Sequence, residues 1–352
     1  MRKKVYLVLE NGKVFEGVSF GAEVESVGEL IFSTSMVGYV ETLTDPSYFG
    51  QIVCQTFPLI GNYGVMESDF QSEKAYLSAY IVREWCQEPS NFRSEGNLDA
   101  FLKRLGIPGI CGIDTRELTR ILRENGTMNA VVTPNPDTVD MTALKNFKVA
   151  DAVAAVTSRE FSYEGKGTRI ALWDFGTVRN VKTELLDRGC EVVTVPAQTS
   201  AEQICALKPD SVFLSAGPGN PEDCSGIINE VAALSMRKIP VLGIGLGHQL
   251  LALARGGKVE KMKFSHCGAQ PVIEASTGKV LITAQHHGYC VSARPPASEI
   301  SHKNANDNSC EGLEYTDIPA FSVQFIPETA IGPQSTGAVY DRFVEMAKGA
   351  VK

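Results

Sequence analysis

Several features that commonly define a protein class are missing from this chain. Its apolar runs all fall short of the roughly 20 residues that a membrane span needs, and residues 1–6 (MRKKVY) lead into a strand-like segment instead of the apolar core of a signal peptide. The nine cysteines form no C-x-x-C pair. Free and mostly buried thiols are therefore expected instead of a disulfide framework or a zinc site. We expect a cytoplasmic protein without membrane contact.

An excess of basic residues is also missing. The chain has 33 Lys and Arg against 41 Asp and Glu, which gives a net charge of -8. This balance argues against non-specific binding to nucleic acid or to anionic membranes. With 43% hydrophobic and 21% charged residues, the composition is that of an ordinary globular protein. A length of 352 residues exceeds one comfortable hydrophobic core, so two domains are expected.

The texture of the sequence changes near residues 160–168. Before this point the strand patterns are scattered, and Asn11-Gly12 between apolar residues 7–9 and 14–15 predicts a β-hairpin. We therefore predict an amino-terminal domain of mixed α/β structure over residues 1–150. A linker is predicted over 151–167, and a second domain over 168–352.

Beyond the break, strand and helix patterns alternate. Strands are predicted at 169–173, 191–195, 211–215 and 241–244, with helical patterns ending near 186 and covering 227–234 and 249–254. Such alternation is typical of an α/β fold with an open, mostly parallel sheet and helices on both faces. Functional sites of these sheets form at the carboxyl ends of the strands.

Two glycine-rich loops follow such strands. In residues 241–249 (VLGIGLGHQ), an apolar strand turns sharply into an apolar helix, which is the layout of a nucleophile elbow. Gly245 stands at its tip, so the elbow is present and the nucleophile is absent. The other loop, residues 215–221 (SAGPGNP), offers backbone N–H groups to a ligand but lacks the Gly-Lys-Ser/Thr of a P-loop. Plain turns are the alternative for either loop alone.

Taken together, these segments resemble the small, glutamine-hydrolysing subunit of carbamoyl phosphate synthetase. In the first half the resemblance is carried by residues 32–39 (FSTSMVGY), 43–48 (LTDPSY), 57–65 (FPLIGNYGV) and 112–120 (GIDTRELTR). The second half is similar to class I glutamine amidotransferases through both loops and through residues 284–289 (AQHHGY) and 323–328 (VQFIPE).

The resemblance implies amide hydrolysis by a cysteine thiolate, with a histidine that a glutamate holds in place. Ammonia would pass to a large subunit, which binds ATP, magnesium and bicarbonate and makes carbamoyl phosphate for pyrimidine or arginine synthesis. No cofactor is expected in this chain. The family's nucleophile, histidine and glutamate fall on Gly245, Ile326 and Glu328. Since glycine and isoleucine can neither attack nor accept a proton, glutamine hydrolysis is predicted to be impaired or lost.

The resemblance also places the family's contacts to glutamine. They fall on Ser47, Gly217, Gly219, Leu246, Gln249, His286, Gly288 and Tyr289. His286 stands where the family has asparagine, and His248 is expected to be a structural residue at the helix start. Binding of L-glutamine without hydrolysis is one interpretation; a pocket kept only as scaffold is the other.

Two further functions stay open at this stage. One is a residual glutaminase that uses Cys267 or Cys290 as its nucleophile, and the other is a stand-alone protein that senses glutamine. Ligand types alone also allow a metal site among His266, Cys267, His286, His287 and Cys290. Their spacing does not require one, so no metal is predicted.

Overall fold

The computed structural model describes residues 3–329 and 335–349, and they form two compact units. The first unit takes in the chain up to residue 150 together with residues 263–265, and the second takes in residues 151–262 and the chain from 266 onward. Within the described residues, no helix combines the length and the apolar character that a membrane crossing requires.

The first unit is a mixed α/β structure. Its described strands are β1 (Lys4–Leu9), β2 (Val14–Gly21), β3 (Ser26–Ser33), β4 (Gln51–Ile60), β5 (Ala79–Trp85), β6 (Pro108–Cys111) and β7 (Met128–Thr133). Its described α-helices are α1 (Tyr39–Thr44), α2 (Leu98–Leu105), α3 (Thr115–Asn125) and α4 (Met141–Lys145).

These strands close into a barrel in the order β1-β2-β6-β5-β4-β3-β7, with β7 antiparallel to β1. Alternate residues point inward, as the two-residue period of a strand requires; in β1 these are Val5, Leu7 and Leu9, all in one apolar core. The predicted hairpin is confirmed, since β1 and β2 pair antiparallel around a turn in which Gly12 has φ +89°.

The second unit contains the remaining elements. Its described strands are β8 (Ser162–Gly165), β9 (Thr168–Asp174), β10 (Cys190–Pro196), β11 (Ser211–Leu214), β12 (Val241–Ile244), β13 (Lys258–Glu274), β14 (Val280–Ala293), β15 (Ser298–Asn304), β16 (Cys310–Tyr315) and β17 (Ala320–Val323). Its described α-helices are α5 (Ala152–Val156), α6 (Arg179–Asp187), α7 (Ala201–Ala206), α8 (Ser225–Ser235), α9 (Leu246–Ala254) and α10 (Ala338–Ala347).

The sheet of this unit has a parallel centre, in which β10, β9, β11, β12 and β17 lie side by side. Successive residues of these strands enter two different apolar cores. Trp173 packs in a core with α8 and α9, whereas Leu172 packs in a core with α6 and α10. Helices thus cover both faces of the sheet, and the predicted α/β fold class is confirmed for both units.

Two parts of the second unit differ from a simple alternation of strands and helices. Antiparallel strands β13 to β16 extend the sheet beyond β17. At the other edge, the segment 151–167, expected to be a linker, carries α5 and β8, and β8 pairs antiparallel with β10. None of the nine cysteines, all of which lie within the described residues, forms a disulfide, and five of them are buried.

Candidate active site

The predicted elbow lies at the carboxyl end of β12, where the chain turns into α9. Gly245 has φ +56° and ψ -111°, a backbone conformation that residues other than glycine adopt only with strain. Its N–H donates to the Val323 carbonyl of the neighbouring strand β17 over 3.0 Å. A Cβ atom placed on Gly245 would lie 3.1 Å from the Ala216 Cβ in the loop after β11. The elbow therefore faces the glycine-rich loop 215–221.

That loop is anchored by the side chain of Ser215. The Ser215 hydroxyl accepts a hydrogen bond from the Phe175 N–H at 2.8 Å and donates one to the Ala216 carbonyl at 2.8 Å. The Ser215 carbonyl accepts from the Gly247 N–H at 3.0 Å. The ends of β9 and β11 and the start of α9 are thus joined at one edge of the sheet.

Gln249, one turn into α9, connects the elbow to the strands beyond it. Its Nε2 donates to the Tyr289 carbonyl and to the Gln324 Oε1, in both cases over 2.9 Å. Gln324 lies in the motif 323–328, but local sequence does not show that it accepts this hydrogen bond. Its partner Gln249 lies 75 residues away along the chain. The structure thus brings together the predicted contact residues Gln249 and Tyr289.

Ile326 and Glu328, the other two predicted triad positions, follow β17. The Ile326 N–H donates to the Ala284 carbonyl over 2.9 Å, which places its half-buried side chain beside β14. The buried Glu328 carboxylate accepts a hydrogen bond from the Tyr340 hydroxyl of α10 over 3.0 Å. The aliphatic side chain of Ile326 offers no group that could carry a proton.

His286 and Cys267 form a thiol–imidazole pair on β14 and β13. The two residues are direct partners in the strand register, and the Cys267 Sγ lies 3.2 Å from the His286 Nδ1. Cys290 differs, because burial raises the pKa of its thiol to about 11. The Cys267 thiol thus has an imidazole placed against it.

The other predicted contacts are distributed as follows. Leu246 is buried at the start of α9, while Gly217 is half-buried and Gly219 is exposed in the loop after β11. Gly288 is half-buried in β14 next to Tyr289. Ser47 belongs to the first unit, where its N–H donates to the Asp45 carboxylate over 2.8 Å.

His248 supports the elbow from inside the protein. Its side chain is fully buried and its Nδ1 lies 2.8 Å from the Ser322 hydroxyl of β17. Burial, with smaller contributions from the charges of His287 and His302, lowers the pKa of His248 to about 3. A histidine held neutral between α9 and β17 is consistent with the structural role predicted for it.

Comparisons with known proteins match both units. The family model "Carbamoyl-phosphate synthase small chain, CPSase domain" matches residues 7–132, and "Glutamine amidotransferase class-I" matches residues 171–346. The carbamoyl phosphate synthase small chain of Clostridium perfringens is 45% identical over 98% of this chain and 99% of its own length. That of Fusobacterium nucleatum is 46% identical (96% and 97%), and the pyrimidine-specific small chain of Bacillus subtilis is 44% identical (98% and 96%).

The parallel sheet, the elbow and the family match together define the second unit as a class I glutamine amidotransferase domain. The barrel unit carries the match to the carbamoyl-phosphate synthase small chain model. Because relatives 44–46% identical align over almost the whole of both chains, the chain belongs to the carbamoyl phosphate synthase small chain family.

The conformation of Gly245 predicts that alanine at this position destabilises the fold, whereas alanine at Gly226 does not. Gly245→Ala should lower the free energy of unfolding by about 1–3 kcal/mol, because it places a Cβ in a strained backbone conformation and against Ala216. Gly226→Ala in α8 is the matched control, since a Cβ there meets nothing within 4 Å; it should leave stability unchanged or raise it by up to about 1 kcal/mol. Urea unfolding measures both, and equal effects would contradict the strained turn.

The low pKa of His248 predicts loss of stability in acid. The unfolded chain takes up a proton below the usual pKa of 6.5, whereas the folded chain does so only near 3. This contribution is therefore complete above pH 6.5 and declines by up to about 1.4 kcal/mol per pH unit as the pH falls toward 3.

Replacing the imidazole tests this assignment. His248→Gln should be less stable at pH 7 but should show a shallower decline between pH 6.5 and 4 in denaturant midpoints. Ser322→Ala, which removes the partner of His248 and keeps the imidazole, should retain the steep decline. If His248→Gln follows the original pH profile, His248 is not the group responsible.

Proposed function

We propose that this chain is a carbamoyl phosphate synthase small subunit in which glutamine hydrolysis is impaired or lost. In this role it binds its large subunit as a docking or regulatory partner, and synthesis of carbamoyl phosphate uses free ammonia. Membership of the small-chain family, over nearly the whole chain, supports the partner. The geometry around Gly245 supports the change in chemistry.

The observation that carries the proposal is the glycine at the tip of the elbow. The turn has the strained conformation that would present a side chain to the pocket, but residue 245 has none to present. Hydrolysis in this family proceeds through a thioester to the elbow cysteine, and without sulfur that intermediate cannot form there. Loss of such a nucleophile costs on the order of a millionfold in turnover.

The position of the general base points the same way. Ile326 lies beside β14 through its bond to Ala284, and it has neither a titratable group nor a hydrogen-bonding one. The Glu328 carboxylate has Tyr340 as its partner. A relay from nucleophile to histidine to glutamate therefore has no middle member at this position.

Glutamine binding does not depend on the two replaced side chains. Backbone N–H groups of the loop 215–221 and the ordered Gln249–Tyr289 connection involve neither residue 245 nor residue 326. We therefore propose that L-glutamine binds without turnover, which isothermal titration on the isolated chain would measure alongside the release of glutamate.

A double substitution provides the sharpest test. The unaltered chain should release glutamate at background rate, alone and with its large subunit, whereas Gly245→Cys with Ile326→His should raise that rate by at least about a hundredfold. Either single substitution should recover little, because nucleophile and base act as a unit. The Cβ at position 245 requires only a small shift of Ala216, 3.1 Å away.

The matched control is Gly245→Ala with Ile326→His, which differs from the active pair by one sulfur atom and should stay at background. Glutamate release by the unaltered chain at the rate of an intact amidotransferase would contradict the proposal. Failure of the double variant to gain activity would mean that the pocket itself no longer supports the reaction.

A residual glutaminase is the second candidate, and the contact between Cys267 and His286 favours it. His286 would take the proton from the Cys267 Sγ, and the thiolate would attack the amide carbon of glutamine. The imidazolium would return the proton to the leaving ammonia, and water would release glutamate from the thioester. The 3.2 Å separation of Sγ and Nδ1 suits the first transfer.

Two serine substitutions separate this candidate from the first. If Cys267 is the nucleophile, slow release of glutamate by the unaltered chain should fall to background in Cys267→Ser. It should persist in Cys290→Ser, because burial holds the Cys290 thiol of the unaltered chain in its protonated form. Residual activity that is the same in Cys267→Ser and in the unaltered chain would rule this candidate out.

A further inference from the structure

A buried polar cluster lies in the antiparallel part of the second unit. In the register of β13 and β14, His266 is opposite His287 and Cys267 is opposite His286. Neighbouring residues of a strand point to opposite faces, so the two imidazoles of His266 and His287 share one face. The third strand β16 contributes Glu311, which is fully buried. Three side chains with metal-ligating atoms are thus placed together by the sheet itself.

The separations of these atoms are close to those around a bound metal. The His266 Nδ1 lies 3.5 Å from the Glu311 Oε1, and the His287 Nε2 lies 3.8 Å from the same oxygen. One atom from each of the three residues falls within 4.8 Å of the other two. Ligands held about 2.0–2.1 Å from a tetrahedral zinc ion are themselves roughly 3.4 Å apart. Both nitrogen–oxygen separations lie within a few tenths of an ångström of this value.

The outer nitrogen of each imidazole already has an acceptor. The His266 Nε2 lies 2.9 Å from the Asp307 carboxylate, and the His287 Nδ1 lies 2.8 Å from the Tyr289 carbonyl. These acceptors place a proton on each outer nitrogen, so the inner nitrogen of a neutral ring carries a lone pair. A carboxylate or carbonyl behind a histidine is the usual arrangement in metal sites.

The side-chain amide of Gln285 lies against the inner nitrogens of both imidazoles. Its Nε2 donates to the Glu311 Oε2 over 2.9 Å, so its Oε1 faces inward, 3.0 Å from both the His266 Nδ1 and the His287 Nε2. When both rings are neutral, this acceptor oxygen meets two lone pairs. Rotating the amide would instead set its oxygen against the Glu311 carboxylate. Protonating both rings would place two cations in a buried site with ring centroids 5.0 Å apart.

We propose that His266 Nδ1, His287 Nε2 and Glu311 Oε1 bind a divalent transition metal ion of the zinc type, with Gln285 Oε1 as a fourth ligand. Two imidazoles with one carboxylate are a ligand set that zinc accepts. The ion cross-links β13, β14 and β16. It differs from the metal site considered from the sequence, because it needs Glu311 and uses neither Cys267 nor His286.

The probe is the zinc ion itself, added to the full-length chain after treatment with a chelator and gel filtration. Titration calorimetry and elemental analysis should find one zinc per chain, and zinc should raise the unfolding temperature. Cobalt in the same site should give the absorption of a nitrogen and oxygen ligand set, without a thiolate charge-transfer band.

Three substitutions locate the site. Glu311→Gln should weaken zinc binding at least tenfold, since it removes the charged ligand. Asp307→Asn should weaken it about 10–100-fold, and folding should be little affected because this side chain is 44% exposed. His302→Gln, which removes a histidine outside the cluster, should bind zinc as the unaltered chain does.

Three results would overturn the proposal: no stoichiometric zinc binding, a thiolate band in the cobalt-loaded chain, or equal zinc affinity in Glu311→Gln and the unaltered chain. In the first case, hydrogen bonds alone would hold the cluster together. The second would assign the metal to cysteine. None of these measurements uses glutamate release, so their outcome is independent of the proposed function.

Discussion

The second unit depends on how closely the turn between β12 and α9 approaches the end of β11. A Cβ atom on Gly247 would lie 2.2 Å from the Leu214 carbonyl oxygen, so only glycine fits where the helix begins. The Gly247 N–H in turn donates to the Ser215 carbonyl. Gly245 supplies the positive φ that this path needs. The elbow is therefore a consequence of backbone packing, and it forms whether or not a reactive side chain is present.

This separation of shape from chemistry explains how a site could lose its reaction and keep its form. A cysteine at position 245 would have to be held in a strained conformation, at a cost of roughly 1–3 kcal/mol. Glycine removes that cost while the surrounding hydrogen bonds remain. The contacts of Gln249 with Tyr289 and Gln324, and of Glu328 with Tyr340, involve neither residue 245 nor residue 326. On the proposed function, the pocket would thus lose turnover without losing its frame.

The parallel part of the fold was predictable from the sequence because buried parallel strands are short, continuous apolar runs. Residues 169–173 and 211–215 are examples, and both became central strands. The antiparallel strands β13 to β16 were not predicted, since the residues they bury include the polar Gln285, His287 and Glu311 among the apolar ones. Local pattern cannot show that such polar residues face one another, because their partners are set by the register of strands far apart in the chain.

The polar cluster also bears on how that part of the sheet is held together. A buried carboxylate is costly unless charged or hydrogen-bonding partners surround it, and Glu311 receives bonds from Gln285, Asn304 and Ser309. The partner that matters most for the candidate site is His287. Its inner nitrogen faces Glu311, and its outer nitrogen lies against the Tyr289 carbonyl to which Gln249 also donates. One imidazole therefore joins the cluster to the Tyr289 carbonyl, so a metal ion bound as proposed would fix the ring that supports Tyr289.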